Sequence, residues 1–390
     1  MRPLLEKISV LSLSFMLIST YSVSSAIPAM ISFFANQGRS IQEVEFLITV
    51  TSLAIMVTLV GNRLLTRFLS ERAIMSLGLI LVAAGGGLPL LVQSYPLIFV
   101  GRIVLGLGLG MINARAINLV SLLYQGKERI QMMGLRGASE VLGSASLTAI
   151  VGLLLGLGWK WSFAIYFLAL LILVLYHRFV PDLPEEKTLQ GESDQKVKLD
   201  GSYIRLALGL ALIAFFAINV NTSLLLKIPV MVQVANLGTP REASWVLSAM
   251  MLMGILAGLA FGWLLERLKG FLLPVSLLIF SVSILVTALA QNFFILAVVA
   301  VISGFFYSII LTLVFNNASE NTPPQILNLV MTLVLLGCNL GGATSAFVPG
   351  LLAKLNPTAS GAFGVYALIG IGLSLLVGLK SLSRKGSATL

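Results

Sequence analysis

Apolar residues run through this chain in blocks of about 20, the length that carries a helix across a hydrocarbon core of about 30 Å. Turn residues and charges separate the blocks into twelve predicted spans, at 8–34, 44–66, 73–94, 97–123, 134–157, 161–181, 203–232, 243–265, 271–290, 293–316, 327–352 and 362–380. The pattern fails once, at 182–201, where D-L-P-E-E-K-T-L-Q-G-E-S-D-Q-K-V-K-L-D-G is polar, charge-dense and almost free of large side chains. The expected fold is therefore an all-α membrane protein of twelve transmembrane helices, in a six-helix half at 1–181, a linker at 182–201 and a second six-helix half at 202–390. The first run is longer than the about 7–15 apolar residues of a secretory leader and ends at no clean small-x-small site, so it reads as the first span.

Composition narrows the chemistry. Hydrophobic residues make up 58% of the chain and charged ones 10%, more apolar than the roughly half of a soluble domain. The single Cys338 excludes an internal disulfide framework and a cysteine metal cluster, and the single His177 removes the commonest proton shuttle and metal ligand. No nucleophile–base pair is visible, so no enzyme is expected. The phosphate-binding G-x-x-x-x-G-K-[ST] pattern is absent, which argues against direct use of ATP.

The formal charge of +10 is spread over short loops rather than one soluble face, so it points to membrane orientation and not to nucleic acid. Lys7, Arg63, Arg67, Arg72, Lys127, Arg129, Arg178, Lys196, Lys198, Arg267, Lys269 and Arg384 fall on the side of the termini; Arg39, Lys160, Arg241 and Lys354 fall on the other. Both termini and the linker are expected in the cytoplasm, and the protein in the cell's plasma membrane. The halves echo each other at an offset of about 200 residues. Gly61 matches Gly262, Gly106 matches Gly304, and Leu142-Gly143 matches Leu336-Gly337, the repeated architecture of secondary transporters.

These residues also resemble the major facilitator superfamily over the full length. The run Arg102, Gly106, Gly108, Gly110 is similar to that family's R-x-x-x-G-x-G-x-G pattern in the fourth helix. The loop Gly262-Trp263-Leu264-Leu265-Glu266-Arg267-Leu268-Lys269-Gly270 is similar to its G-x-L-a-D-R-x-G-R loop, and Gly158-Trp159-Lys160-Trp161-Ser162-Phe163 to its G-W-R-W-x-F junction. The first-half loop from Gly61 keeps Arg67 and Arg72 but has Leu65 where the acid belongs. The fifth helix lacks the antiporter signature G-P-x-x-G-G; a partial copy, Gly337-Cys338-Asn339-Leu340-Gly341-Gly342, lies in the eleventh. The resemblance implies alternating access, with Gly61, Arg67, Gly262, Glu266 and Arg267 as gating residues.

Ions and amides within spans are the candidate chemistry, because hydrocarbon disfavours them by roughly 2.5–3.5 kcal/mol per charge. Gly106 and Asn113 fall about 40° and 20° around the helix from Arg102, so one stripe carries them. Arg102 and Asn113 are expected to line a central cavity, joined by Asn219 from the seventh helix and Asn339 from the eleventh. Pro229 is expected to break the seventh helix near Asn219 and Asn221. Glu140, read as the carboxylate clearly inside a span, lies at the depth of Arg115, with Arg136 one turn away as an alternative partner. Glu140 and Arg115 are the expected proton-coupling pair, set against a purely structural ion pair.

The function expected is proton-coupled efflux of a small organic compound or drug. The alternatives are symport or exchange of a small organic anion, drawn by Arg102, and a sensor or scaffold on a transporter fold. Neither a metal nor a cofactor is expected besides the proton gradient. The expected partners are a small-molecule substrate and the lipid bilayer, with the chain as a monomer.

Overall fold

The computed structural model describes residues 2–181, 201–354 and 361–387, so the linker lies outside the described residues except for Gly201, and every described element is helical. The chain divides into two compact units. Unit 1 holds residues 1–196 together with Pro240–Ser248, and unit 2 the remainder.

Unit 1 opens with α1 (Arg2–Phe15), a 3-10 segment (Ser19–Ala26) and α2 (Ile27–Ala35), followed by α3 (Ile41–Phe68), α4 (Glu71–Leu91), α5 (Tyr95–Leu123) and α6 (Gly126–Leu154). A second 3-10 segment (Trp159–Phe167) leads into α7 (Leu168–Phe179). Local signals set the helix starts. Ser40 accepts from the Glu43 amide while the Glu43 carboxylate accepts from the Ser40 amide, closing a capping box on α3. Ser70 caps α4 through the Ala73 amide.

Unit 2 contains α8 (Gly201–Val234), α9 (Pro240–Leu268), α10 (Leu272–Leu289), α11 (Phe293–Glu320), α12 (Pro324–Thr344), the short α13 (Val348–Leu352) and α14 (Gly361–Ser387). The beginning of α9 groups with unit 1, where the Ser248 hydroxyl donates to the Ala145 carbonyl at 3.0 Å. Ala207, Leu210 and Ala214 of α8 build a core with Val314 and Ala318 of α11 and Val330, Val334 and Cys338 of α12.

Nine helices among the described residues are long and apolar enough to cross a membrane, and one of these, Pro240–Leu289, runs through α9 and α10. The bent pair α1 and α2, and the shorter apolar stretch Leu329–Thr344, complete the twelve. Outward faces carry Leu171 and Val174 on α7, Leu259 on α9, and Leu368 and Leu376 on α14, all more than half exposed, as a surface covered by lipid requires.

Backbone-to-backbone contacts fix each unit internally, and they recur between halves. A methyl on Gly108 of α5 would lie 2.6 Å from the Gly78 carbonyl of α4, so only a bare α-carbon admits that approach. Gly106 abuts the Thr51 carbonyl of α3, and its counterpart Gly304 the Met250 carbonyl of α9. Gly143 of α6 abuts the Phe15 carbonyl of α1, and Gly337 of α12 the Ala211 carbonyl of α8. The echo at about 200 residues is thus a repeated set of notches.

The break in the backbone falls elsewhere than expected. α8 continues unbroken through Pro229, whereas the first span bends by 55° between residues 15 and 19. Pro229 sits within the last turns of a long helix and forfeits one ladder bond. The first span instead reads S-T-Y-S-V-S-S-A, small hydroxyl residues whose side chains compete for the backbone, and Pro28 stands in the first turn of α2, where its missing N–H is not needed.

Candidate functional site

The bend in the first span leaves carbonyls without helical partners, and α5 supplies what they need. Gly106 and Gly108 let α5 lie against α3 and α4, which brings the Arg102 guanidinium beside the 3-10 segment. Its Nε donates to the Leu47 carbonyl, one terminal nitrogen to the Thr20 carbonyl and the other to the Tyr166 hydroxyl, each at 2.9 Å. The Tyr166 hydroxyl in turn donates to the Ser19 carbonyl at 3.0 Å. Arg102 is 0% exposed. The guanidinium expected to line a central cavity is here enclosed, its donors spent on one carbonyl of the bent segment, one of α3 and the Tyr166 hydroxyl, all within unit 1.

Unit 2 repeats the arrangement without the charge. Tyr366 stands where Tyr166 does and Asn219 where Ser19 does, and the Tyr366 hydroxyl donates to the Asn219 amide oxygen. The Asn219 amide nitrogen donates to the Gly341 carbonyl and the Thr344 hydroxyl, both at 2.9 Å. Asn219 therefore joins α8, α12 and α14. Asn339 donates to the Leu335 carbonyl of its own helix at 2.9 Å and is half-buried, and Asn113 is half-buried on α5. Of the four residues expected around one substrate, Arg102 is sealed and Asn113 half-buried within unit 1, and Asn219 is sealed and Asn339 half-buried within unit 2.

Glu140 and Arg115 also part company. The Arg115 guanidinium meets the Glu71 carboxylate at 2.9 Å, and the Arg136 guanidinium meets Glu140 at 3.3 Å. The reason lies in packing: α4 presses along the whole of α5 through glycine notches, which carries Glu71 at its first turn to Arg115, whereas α5 and α6 touch little. Glu71, six residues after Leu65, opens α4.

At the loops expected to gate, a methyl on Gly61 or Gly262 would meet open space. Arg67 lies 6.0 Å from the Phe68 ring and Arg267 5.5 Å from the Trp263 ring. Glu266 is exposed and, among the described residues, in no ion pair. Sequence reasoning missed Glu45. It lies at the edge of the span read at 44–66, yet it is 0% exposed. Its sequence signal is the polar stripe it begins, with Thr49 and Ser52 on the same face of α3.

A profile of the Major Facilitator Superfamily matches residues 12–239 and 206–388, two overlapping stretches that together span nearly the whole chain. The chain belongs to this family. Its members and the structural neighbours are transporters rather than enzymes, and the chain is a multi-pass membrane transport protein. Among solved structures, a bacterial homologue of the human lysosomal transporter Spinster, inward-facing and unoccupied, shares 12% identity with a TM-score of 0.71, covering 96% of this chain and 95% of that one. A peptide transporter POT in complex with sulfate shares 15% at a TM-score of 0.76, over 97% and 94%. A D-xylose–proton symporter shares 15% at 0.73, over 95% and 96%. At such identities the likeness concerns the fold. No curated protein matches the sequence.

Proposed function

We propose that this major facilitator is a proton-driven exporter of small, largely apolar organic compounds, working as a monomer in the plasma membrane with both termini in the cytoplasm. One observation carries the reading: Glu140 is a carboxylate within the fifth span, three-quarters buried, whose ion-pair partner Arg136 sits one turn away on the same helix. A carboxylate so placed trades its proton against a neighbouring cation as its surroundings change, which is the elementary step of proton coupling. Glu71 occupies Arg115, so the coupling pair becomes Glu140 with Arg136.

The fate of Arg102 favours an uncharged or cationic cargo. Symport of an organic anion needed a guanidinium with donors to spare, and all three nitrogens of Arg102 already donate within unit 1. Asn113 and Asn339, half-buried on α5 and α12, are the amides left to meet a substrate.

The test is flux in proteoliposomes holding the full chain, with a fluorescent hydrophobic dye as probe and an imposed pH gradient. A gradient-driven dye flux that becomes gradient-independent in Glu140→Gln supports the reading. Flux with unchanged pH response in that variant removes Glu140 from the mechanism, and no flux of any probe favours a sensor on a transporter fold.

A further inference from the structure

Beyond Asn113 and Asn339, unit 2 holds a further amide that the transport reading leaves unused. Asn221 of α8 is only 7% exposed, and its side-chain oxygen has no hydrogen-bond partner among the described residues. Buried polar atoms are almost always paired, because stripping water from one without compensation is costly. Asn219 shows the ordinary case. It stands two residues earlier, about 200° around the helix, and its side chain is bonded to α12 and α14.

Asn221 takes the opposite side of α8, the side that packs on α11. It follows Ala214 by seven residues and Leu210 by eleven, which puts it within about 20° of both. Those two residues share a core with Val314 and Ala318 of α11, and the packing reaches Ile218 and Leu311, about a turn short of Asn221 on one helix and of Tyr307 on the other. As first and fourth spans of their half, α8 and α11 run in opposite directions. Moving on along α8 to Asn221 therefore means moving back along α11 to Tyr307, which lies seven residues before Val314 and eleven before Ala318, on the same stripe. Tyr307 is half-buried, and its ring lies 6.3 Å from the Phe280 ring of α10. The apolar seam between α8 and α11 thus comes to an unmet acceptor at the level of an aromatic ring with part of its surface accessible.

We propose that Asn221 is a specificity-determining residue of this transporter, whose side-chain oxygen accepts a hydrogen bond from an N–H or O–H of an otherwise apolar cargo lying against Tyr307. The proposal rests on the export reading above and narrows its cargo to compounds that carry a donor. A site built to pair a donor discriminates against an analogue that lacks it, since the buried acceptor is then left unmet. An acceptor also disfavours anions, in keeping with a guanidinium whose donors are already spent within unit 1.

Equilibrium binding to the full chain in lipid nanodiscs at one fixed pH tests this, with a hydroxyl-bearing hydrophobic dye and its methyl ether as probes and fluorescence anisotropy as the readout. The wild type is expected to bind the hydroxyl dye about three- to tenfold more tightly than the ether. Asn221→Leu is expected to bring the ratio to about one by weakening the hydroxyl dye alone, and Asn221→Ala, which adds no bulk, to do the same if Leu is not accommodated. Tyr307→Phe is expected to keep the wild-type ratio. Equal binding of the two dyes by the wild type, a preference that survives in both Asn221 variants, or one lost in Tyr307→Phe overturns the proposal and leaves the export reading standing. Binding of neither dye overturns it together with the apolar-cargo reading. A dye flux indifferent to the pH gradient fails the Glu140 step and leaves this ratio untouched.

Discussion

The Arg102 guanidinium donates to the Tyr166 hydroxyl at 2.9 Å, and through it the fourth span grips the bent first span. Charge-assisted hydrogen bonds contribute about 1.5–3 kcal/mol each, and a buried cation stripped of partners costs more than the bond itself. Tyr166→Phe is expected to lower the thermal unfolding midpoint measurably while keeping transport. Arg102→Ala is expected to lower it further and abolish transport, with Arg102→Lys between the two. Dye-based unfolding curves in detergent check the order, and wild-type stability in Arg102→Ala would refute the staple.

For Glu71 and Arg115 the geometry sets up a double-mutant cycle. Arg115 is buried and Glu71 about two-fifths exposed, so solvent weakens the pair. A coupling energy of about 1 kcal/mol is expected, at the low end for contacting residues. Glu71→Gln alone should destabilise more than the same change made beside Arg115→Met, read by the same unfolding curves.

The glycines divide into two classes with opposite outcomes. Gly143→Ala drives a methyl into the Phe15 carbonyl, and overpacking of this kind costs about 1–3 kcal/mol. Its counterpart Gly337→Ala meets the Ala211 carbonyl at 2.5 Å and should behave alike. Gly262→Ala meets nothing, and an exposed mid-helix glycine replaced by alanine gains about 0.5–1 kcal/mol. That variant should melt higher, and a gating role predicts that its dye flux falls even so. Unchanged flux would remove Gly262 from the gate.

Asn219 offers a test of glue against ligand contact. Asn219→Leu removes hydrogen bonds to the Tyr366 hydroxyl and the Gly341 carbonyl in the core of unit 2, which keep only longer contacts at 3.4 Å to the Ser223 and Thr344 hydroxyls, at a cost of about 1 kcal/mol for each bond lost. Reduced stability with an unchanged apparent affinity for the dye is expected. A change in affinity alone would restore Asn219 to the substrate path.

Hydropathy made the spans legible because membrane length is a property of one helix at a time, and the glycine echo at Gly106 and Gly304 showed the repeat because notches need glycine. Neighbour relations were harder to read. Matching depths suggested Arg115 with Glu140, yet depth does not say which helix lies alongside, and the contact belongs to Glu71 through the packing of α4 on α5. Helical angle placed Arg102, Gly106 and Asn113 on one stripe, but angle does not tell a cavity from a neighbouring backbone. Glu45 escaped notice because a span's boundary is blurred by about a turn, and that turn decides whether an acid is wet or enclosed.

The glycine notches also limit how α1 and α6, or α8 and α12, can shift against each other. With a bare α-carbon seated on a carbonyl, a small slide drives peptide planes together, and the next comfortable register lies a full helical turn away, about 5.4 Å. Rearrangement along these seams is therefore stepwise, in hops between discrete alignments rather than gradual creep.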